Sequence, residues 1–198
     1  NSVKKNYDLI ERAAQKTVED ILLNFPLIKE VTLELRKPNA PIPMEFESVS
    51  VQIIRGWHKV YIAFGSNMGE KENYIKNAIE EFRGSIYFRK MQVSDFFYSS
   101  PYGGVEQDDF INGVLEVETM LEPYELLEIL HKFEAKAERV RVQRWGPRTL
   151  DLDIIFYDDL ILDEKELQIP HKDMTNRDFV LIPLAQLAGY KRHPVLKK

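Results

Sequence analysis

Residues 139–156 read Arg-Val-Arg-Val-Gln-Arg-Trp-Gly-Pro-Arg-Thr-Leu-Asp-Leu-Asp-Ile-Ile-Phe. The last seven residues, 150–156, alternate between apolar and acidic side chains and then become continuously apolar, which predicts a strand. The first ten residues contain four arginines and no acidic residue. We therefore expect a basic loop that leads directly into a strand of the core.

Asp151 and Asp153 are spaced i and i+2 on this predicted strand. That spacing places both carboxylates on one face, about 6 to 7 Å apart along the chain. Leu150, Leu152 and Ile154 would then lie on the opposite face. Such carboxylates suit one or two Mg²⁺ ions, which prefer oxygen ligands, and the nearby arginines would bind phosphate oxygens. The stretch predicts a nucleoside triphosphate site, and the alternative is a solvated basic turn before an ordinary strand.

Length and composition predict one or two globular domains. The chain has 198 residues, of which 44% are hydrophobic and 30% charged, as is typical of a globular protein. It contains no cysteine, which excludes disulfides and thiolate sites, and we expect a reducing cytoplasm. No apolar run is long enough to cross a membrane, and residues 1–7 lack the apolar segment of a signal peptide.

The charge is unevenly distributed along the chain. Residues 1–56 hold 8 basic and 8 acidic residues, so the net charge of −5 falls entirely in residues 57–198. A negative net charge argues against general nucleic-acid binding. Because the arginine-rich stretch lies in the acidic part of the chain, a local anion site is favoured over a generally basic surface.

Hydrophobic periodicity divides the chain into two units, residues 1–56 and 57–198. The first unit predicts a helix over 7–24 and strands over 30–37 and 48–55, with a proline-rich loop between the strands. These elements are too few to form a domain that is stable on its own.

The pattern of the second unit predicts an α+β fold. The chain as a whole is therefore expected to be an α+β protein, in which one helix and two strands precede this fold. The order β-α-β-β-α-β is typical of a ferredoxin-like layer. Strands are expected at 59–64, 85–90, 94–98, 111–119 and 150–156, and helices at 123–141, at 179–188 and, after a turn at Gly65–Asn67, to about Phe82.

Three further features are candidates for ligand contact, each with a plainer alternative. Phe110 and Asn112 suit stacking and hydrogen bonding to a flat heterocycle, or core packing. His171 lies in a loop with lysine, asparagine and arginine that suits phosphate binding, or it is simply exposed to solvent. Trp145 either anchors the arginine-rich loop by packing or stacks on a base. The sequence has no P-loop motif and no zinc-ligand spacing among its four histidines.

Six motifs in residues 59–198 are similar to those of one enzyme family. They are Ala63-Phe-Gly-Ser-Asn67, Phe97-Tyr-Ser-Ser-Pro101, Asp109-Phe-Ile-Asn112, Arg139-Val-Arg141, Arg144-Trp-Gly-Pro-Arg-Thr-Leu-Asp-Leu-Asp-Ile154 and Ile169-Pro-His-Lys-Asp-Met-Thr-Asn-Arg177. They resemble 6-hydroxymethyl-7,8-dihydropterin pyrophosphokinase, a family of folate biosynthesis. The resemblance implies a ferredoxin-like fold and transfer of pyrophosphate from ATP to the pterin, with release of AMP. It also implies that Asp151 and Asp153 hold two Mg²⁺ ions between the substrates.

The resemblance further implies roles for individual residues. Catalytic positions fall on Asp151, Asp153, Arg139 and Arg148. Substrate-binding positions fall on Ser100, Pro101, Gly103, Phe110, Asn112 and Phe179, with the pterin between the two phenylalanines. ATP-binding positions fall on His131, Glu134, Arg141, Arg144, Trp145, Ile154, His171 and Arg177. The sequence departs from the family at Phe110, where many members have tyrosine, and at Lys172, where an aromatic residue is common.

The first unit carries a resemblance of its own. Asp8-Leu-Ile-Glu-Arg-Ala-Ala14 and Arg36-Lys-Pro-Asn-Ala-Pro-Ile-Pro43 are similar to the C-terminal half of dihydroneopterin aldolase, which makes the substrate of the pyrophosphokinase and is fused to it in some bacteria. By this match Glu11 would anchor a pterin, and Lys37 would be the lysine of the catalytic loop. We expect aldolase activity only if the other half of that domain is supplied, by a complementary segment or another copy that pairs with residues 1–56.

The sequence therefore predicts an enzyme that binds ATP and a pterin, with neither nucleic acid nor a membrane as a partner. A nucleotide-binding regulatory module without turnover is the alternative, since ferredoxin-like folds host many such modules. The paired aspartates favour the enzyme, because a module that only binds needs no site for two metal ions.

Overall fold

The computed structural model describes residues 9–38, 40, 43–44, 47–101, 107–137 and 147–197. The chain forms two compact units, Asn1–Trp57 and His58–Lys198. Helices and strands occur in both units, and the predicted α+β class is confirmed. Among the helices that the structure describes, none has the length and apolar character needed to cross a membrane.

The first unit packs one helix on a two-stranded sheet. Its elements are α1 (Ile10–Asn24), β1 (Glu30–Lys37) and β2 (Val49–Gly56). The two strands are antiparallel, and α1 contacts both of them. Ala14, Val18 and Leu22 are spaced four residues apart and form the buried stripe of the helix. The predicted strand over 30–37 is confirmed at both ends. Its side chains alternate, so that one face of the strand is half-buried and the other is exposed.

The second unit is built on a five-stranded sheet. Its elements are β3 (His58–Ser66), α2 (Lys71–Gly84), β4 (Phe88–Val93), β5 (Phe97–Ser99), β6 (Phe110–Thr119), α3 (Pro123–Lys136), β7 (Asp151–Tyr157), β8 (Leu162–Asp163), β9 (Gln168–Ile169) and α4 (Asp178–Ala188). The sheet has the order β4-β6-β3-β7, and β5 pairs with the other half of β6. All of its pairs are antiparallel. β8 and β9 form a separate short hairpin.

The sheet of the second unit is covered on both faces. Val60, Ile62 and Phe64 of β3 pack in a cluster that includes residues of α2 and α3, whereas Tyr61 and Ala63 pack in a second cluster with residues of α4. The central strands are therefore buried on both sides. This explains why β6 is buried along nearly its whole length and not only at every second residue.

Several boundaries differ from the sequence prediction for physical reasons. The strand expected at 85–90 begins at Phe88, because Ser85 starts a turn in which its hydroxyl accepts the Tyr87 N–H at 3.3 Å. β3 continues to Ser66, two residues beyond the predicted end, because its last residues pair with β6. The predicted helix over 123–141 is described to Lys136, and residues 138–141 lie outside the described ranges.

Candidate active site

A cavity of about 480 Å³ lies in the second unit, at the end of the sheet where β3 finishes and β6 and β7 begin. Antiparallel pairing brings these strand ends together, and the volume is in the range of small-molecule sites. Eight of the residues predicted for the site line this cavity: Ser100, Phe110, Asn112, Arg148, Asp151, Asp153, Arg177 and Phe179. Segments that are far apart in the sequence therefore converge on one space.

The two carboxylates of β7 face this cavity. Leu150, Leu152 and Ile154 belong to the main core cluster on the other side of the strand, so the period of two determines the direction of Asp151 and Asp153. Both carboxylates are partly buried, since the side chain of Asp151 is 18% exposed and that of Asp153 is 37% exposed.

The electrostatics of the carboxylate pair favour added positive charge. Burial raises the pKa of Asp153 to about 7, and the nearby Asp151 carboxylate adds to the increase. Arg177 and Arg148 lower the pKa of Asp153 but do not cancel the increase. Arg177 Nη1 lies 3.9 Å from Asp153 Oδ2, and Arg148 is ion-paired with Asp151. A bound cation would stabilise the ionised pair.

The donor set of this pair fits Mg²⁺. This ion usually takes one or two carboxylates from the protein and completes an octahedral shell with water and substrate phosphate oxygens. Asp151 and Asp153 provide such carboxylates at the cavity wall. Across the described ranges, no group of three or more His, Cys, Asp or Glu side chains is arranged to hold a metal ion.

His171 is held beside the carboxylates by backbone hydrogen bonds. Its N–H donates to the carbonyl of Ile155 at 3.1 Å, which ties the segment after β9 to β7. Its Nδ1 accepts the Asp173 N–H at 3.3 Å, so the hydrogen of the neutral ring is on Nε2. Nε2 lies 3.9 Å from Asp153 Oδ2. Burial lowers the pKa of His171, and the charge of Arg177 lowers it further, which favours the neutral ring.

Aromatic and amide groups form the rest of the cavity wall. Phe110 begins β6 and Phe179 lies in the first turn of α4, and both line the cavity. The Arg177 guanidinium carbon lies 5.8 Å from the centroid of the Phe179 ring, which is a cation–π distance. Asn112 is 6% exposed and donates from Nδ2 to Ser99 Oγ at 2.9 Å. The wall combines flat apolar surfaces with a fixed amide, as a flat heterocyclic ligand requires.

A network centred on Asn67 connects two of the segments that line the cavity. Asn67 is 1% exposed, and its Oδ1 accepts the Arg148 N–H at 2.7 Å, while its own N–H donates to the Arg148 carbonyl at 3.0 Å. Its Nδ2 donates to Gln107 Oε1 at 3.0 Å and to the carbonyl of Asp108 at 3.2 Å. One buried amide therefore positions Gln107 and Arg148, both of which line the cavity.

Glu134 lies beneath β7 and is not among the residues that line the cavity. It is 3% exposed, and its Oε1 accepts the Leu152 N–H at 2.9 Å. Leu152 stands between the two aspartates, so this hydrogen bond fixes the backbone from which both carboxylates project. The structure therefore shows that Glu134 supports the backbone of β7, and its contact with ATP, which the resemblance implied, stays a prediction.

The other predicted residues are placed as follows. His131 is exposed on α3, and Ile154 is buried in the main core, so neither side chain lines the cavity. Pro101 follows Ser100 and is half-buried. Glu11 and Lys37 are exposed in the first unit. Gly103, Arg139, Arg141, Arg144 and Trp145 lie outside the described residues, and their roles stay predictions.

The cavity also contains residues that the sequence analysis did not single out as site residues. They are Ala63, Phe64, Gly65, Ser99, Gln107, Asp173, Asn176 and Val180, together with Lys172, where the sequence departs from the family. Ser99 lies one residue beyond the strand predicted over 94–98, and its place opposite Phe110 follows from the pairing of β5 with β6. Gln107 follows from no local pattern, since its place depends on a hydrogen bond to a residue forty positions away.

Replacing Glu134 with leucine is expected to lower the free energy of unfolding by about 1 to 3 kcal/mol, the cost of leaving the Leu152 N–H buried without an acceptor. Glu134→Gln keeps an oxygen in place and is expected to remain close to wild type in stability. Urea denaturation of the two variants measures the difference. A glutamine variant that is stable but has a selectively increased KM for ATP would contradict the supporting role and indicate direct contact with the nucleotide.

Comparison with known proteins gives two family matches. Residues 61–189 match 7,8-dihydro-6-hydroxymethylpterin-pyrophosphokinase, and residues 1–54 match dihydroneopterin aldolase. The match to the pyrophosphokinase family includes the whole five-stranded sheet except the first residues of β3. The match to the aldolase family includes the helix and nearly all of both strands of the first unit.

Individual relatives agree with these matches. The bifunctional protein FolKE of Lactococcus lactis is 47% identical over 127 residues, which cover 64% of this chain and 36% of the relative. A 2-amino-4-hydroxy-6-hydroxymethyldihydropteridine pyrophosphokinase of Pseudomonas aeruginosa is 43% identical over 136 residues, 69% of this chain and 84% of the relative. Folic acid synthesis protein fol1 of Schizosaccharomyces pombe is 28% identical over 208 residues, 94% of this chain and 28% of the relative.

The chain spans about a third of the length of the bifunctional Lactococcus relatives and most of the length of the Pseudomonas relative. Both predicted resemblances are confirmed, because each family match falls on the unit for which it was expected. The chain belongs to the 7,8-dihydro-6-hydroxymethylpterin-pyrophosphokinase family, and a short segment related to dihydroneopterin aldolase precedes its family domain.

Proposed function

We propose that this chain transfers a diphosphoryl group from ATP to 6-hydroxymethyl-7,8-dihydropterin and releases AMP. The observation that carries the proposal is the pair of carboxylates, Asp151 and Asp153, in one cavity with two phenylalanine rings. In a member of this family the carboxylates suit metal-bound phosphates, and the rings suit a pterin. Neither half of the cavity alone would support both substrates.

The reaction forms a bond between the hydroxymethyl oxygen of the pterin and the β-phosphorus of ATP. It breaks the bond between that phosphorus and the oxygen bridging to the α-phosphorus, so AMP leaves and the proton of the hydroxyl passes to solvent or a nearby base. In phosphoryl transfer the protein contributes mainly positioning and charge neutralisation. Mg²⁺ held by Asp151 and Asp153 would neutralise phosphate charge and orient the phosphate oxygens.

Cationic side chains of the cavity would hold the phosphates. Arg177 and Lys172 line the wall on the segment after β9, and Arg148 lines the wall in front of β7. Arg177 Nη2 lies 3.4 Å from Asp173 Oδ2, which orients its guanidinium toward the cavity, and a guanidinium can bind two phosphate oxygens at once. Arg148 already pairs with Asp151, so it would neutralise charge close to the carboxylates.

The pterin would lie against Phe110 and Phe179, with its polar edge at Asn112. Aromatic rings hold a flat heterocycle by stacking and give little selectivity among heterocycles, whereas a buried amide rejects ligands that leave it without a partner. Many family members have tyrosine at the position of Phe110. Phe110 lacks the tyrosine hydroxyl but keeps the aromatic ring. We assign stacking to the rings and selectivity to Asn112.

Two finer assignments belong to the same proposal. The order β4-β6-β3-β7, with antiparallel pairing throughout, supports a ferredoxin-like sheet for the second unit. A cytoplasmic location would give the enzyme access to ATP and suits a chain without cysteine.

An assay of AMP formation tests the proposal against a regulatory module that only binds nucleotide. The chain is incubated with ATP and Mg²⁺, with and without 6-hydroxymethyl-7,8-dihydropterin, and AMP is quantified by chromatography. The enzyme is expected to form AMP in many turnovers and only when the pterin is present. Binding of ATP without AMP formation in the presence of both substrates would favour the module.

For the first unit we propose an aldolase-related role that requires a partner strand. In the described part of this unit, β1 and β2 pair only with each other, so each strand has an edge that a complementary segment or another copy can extend. Glu11 and Lys37 supply groups expected of a pterin aldolase. Release of glycolaldehyde from dihydroneopterin, measured with the chain alone and with a complementary aldolase segment, tests this role, and activity only in the mixture is expected.

A further inference from the structure

The carboxamide of Asn112 is held on one side by Ser99. Asn112 pairs with Phe97 across the β5–β6 hairpin, and Ser99 pairs with Phe110. Because side chains alternate along a strand, Ser99 and Asn112 lie on the same face as diagonal neighbours, close enough for a polar contact. Nδ2 of Asn112 donates to Ser99 Oγ at 2.9 Å. Within the described part of the chain, this is the one hydrogen bond of that carboxamide.

The other side of the carboxamide faces Gly65 on β3. Gly65 pairs with Asn112 in the register between β3 and β6. A Cβ atom placed on Gly65 would lie 2.8 Å from Asn112 Oδ1, which is closer than a real contact allows. The missing side chain therefore leaves the space that Oδ1 occupies. Gly65, Ser99 and Asn112 all line the cavity.

The orientation of the carboxamide determines what it offers to a ligand. With Nδ2 engaged by the serine hydroxyl, Oδ1 is left as an acceptor at the cavity wall. The amino-pyrimidine edge of a pterin carries N–H donors, which an acceptor oxygen complements. A reversed carboxamide would accept from the serine hydroxyl and turn its own N–H groups toward the N–H donors of the pterin, and a mismatched polar pair in a buried site is costly.

We propose that Ser99 is a positioning residue that holds the Asn112 carboxamide with its oxygen toward the pterin, and that Gly65 supplies the space for this orientation. The inference rests on the proposed function, because it assigns the ligand of Asn112 as the pterin. Ser99 acts through Asn112 and does not itself contact the reacting atoms. It is therefore expected to affect recognition of the pterin and not the handling of ATP.

Steady-state kinetics of Ser99→Ala and Ser99→Thr test the proposal. Ser99→Ala is expected to raise the KM for the pterin roughly threefold to tenfold, the effect of one net hydrogen bond, with the KM for ATP unchanged. Ser99→Thr keeps the hydroxyl and is expected to stay within about twofold of wild type for both substrates. Thermal unfolding of both variants shows whether the fold is intact. Equal KM values for the pterin in wild type and Ser99→Ala would overturn the inference.

A double-mutant cycle with Asn112→Ala separates positioning from direct contact. If Ser99 acts through the carboxamide, Ser99→Ala is expected to have no further effect on the KM for the pterin once Asn112 is alanine. An unchanged effect in both backgrounds would show independent action and refute the inference. Gly65→Ala is expected to raise the KM for the pterin in the chain that keeps Asn112. The same change is expected to have no effect on this KM in the Asn112→Ala variant.

The outcomes distinguish this inference from the function on which it rests. A wild-type chain that forms no AMP from ATP and the pterin removes the proposed function itself. A wild-type chain that turns over, with a Ser99→Ala variant that matches it in every constant, leaves the function in place and removes the role of Ser99 alone.

Discussion

Asp151→Ala and Asp153→Ala are each expected to lower kcat at least about a hundredfold, or about 2.7 kcal/mol of barrier, while the chain stays folded. Both carboxylates line the cavity, and they would provide the protein's ligands to Mg²⁺. The core side of β7, formed by Leu152 and its neighbours, is untouched by either change. AMP formation at saturating Mg²⁺ and both substrates measures the loss, and near-normal turnover in either variant would contradict the assignment.

The stability of the Asp153→Asn variant relative to wild type is expected to depend on pH. The pKa of Asp153 is raised to about 7 in the folded chain, above the ordinary carboxyl value near 4. A raised carboxyl pKa favours folding below the ordinary value, and this contribution is lost as pH increases to the folded pKa. Without Mg²⁺, the asparagine variant is therefore expected to gain stability relative to wild type between about pH 4 and pH 7. Thermal unfolding over this range measures the gain, and a gain that falls with pH would refute the raised pKa of Asp153.

Phe110→Ala and Phe179→Ala are each expected to weaken pterin binding roughly tenfold to a hundredfold while ATP binding stays within about twofold, because stacking of a heterocycle on an aromatic side chain contributes about 1 to 3 kcal/mol. Both rings line the cavity, and they come from different elements, β6 and α4. Calorimetric titration with each ligand separately measures the two effects.

Phe25→Ala serves as the matched control for these variants, because this ring is 59% exposed in the first unit and is not among the residues lining the cavity. It is expected to bind both ligands as wild type does. Equal losses for pterin and ATP in Phe110→Ala or Phe179→Ala would indicate a collapsed cavity wall, and the assignment of the two rings to the pterin would then fail.

Local patterns accounted for the longer helices and strands and for the carboxylate pair, but not for the short strands β8 and β9. The strand over 30–37 follows from strict alternation, and α3 begins at Pro123, where proline and a capping box between Glu122 and Glu125 start a helix. Asp151 and Asp153 were predictable because their common direction depends only on the period of the strand and on the apolar neighbours between and beside them.

Long-range contacts account for what the sequence did not reveal. Asn67 lies 81 positions from Arg148, yet its side-chain oxygen accepts the N–H of that residue and its backbone N–H donates to the carbonyl. Glu134 is acidic, a feature that predicts an exposed helix position, but it is buried under β7 and accepts the Leu152 N–H. The continuous burial of β6 also requires knowledge that α4 covers the second face of the sheet.

Isotope partition between the two products tests the central claim most directly. The chain is given Mg²⁺, 6-hydroxymethyl-7,8-dihydropterin and ATP labelled either at the γ-phosphorus or at the α-phosphorus, and the products are separated by chromatography. Attack at the β-phosphorus predicts that the γ-label moves to the pterin, that the α-label stays in AMP, and that the two products form in equal amounts. Formation of ADP, or of AMP with the γ-label in free phosphate or pyrophosphate and no labelled pterin, would contradict the account.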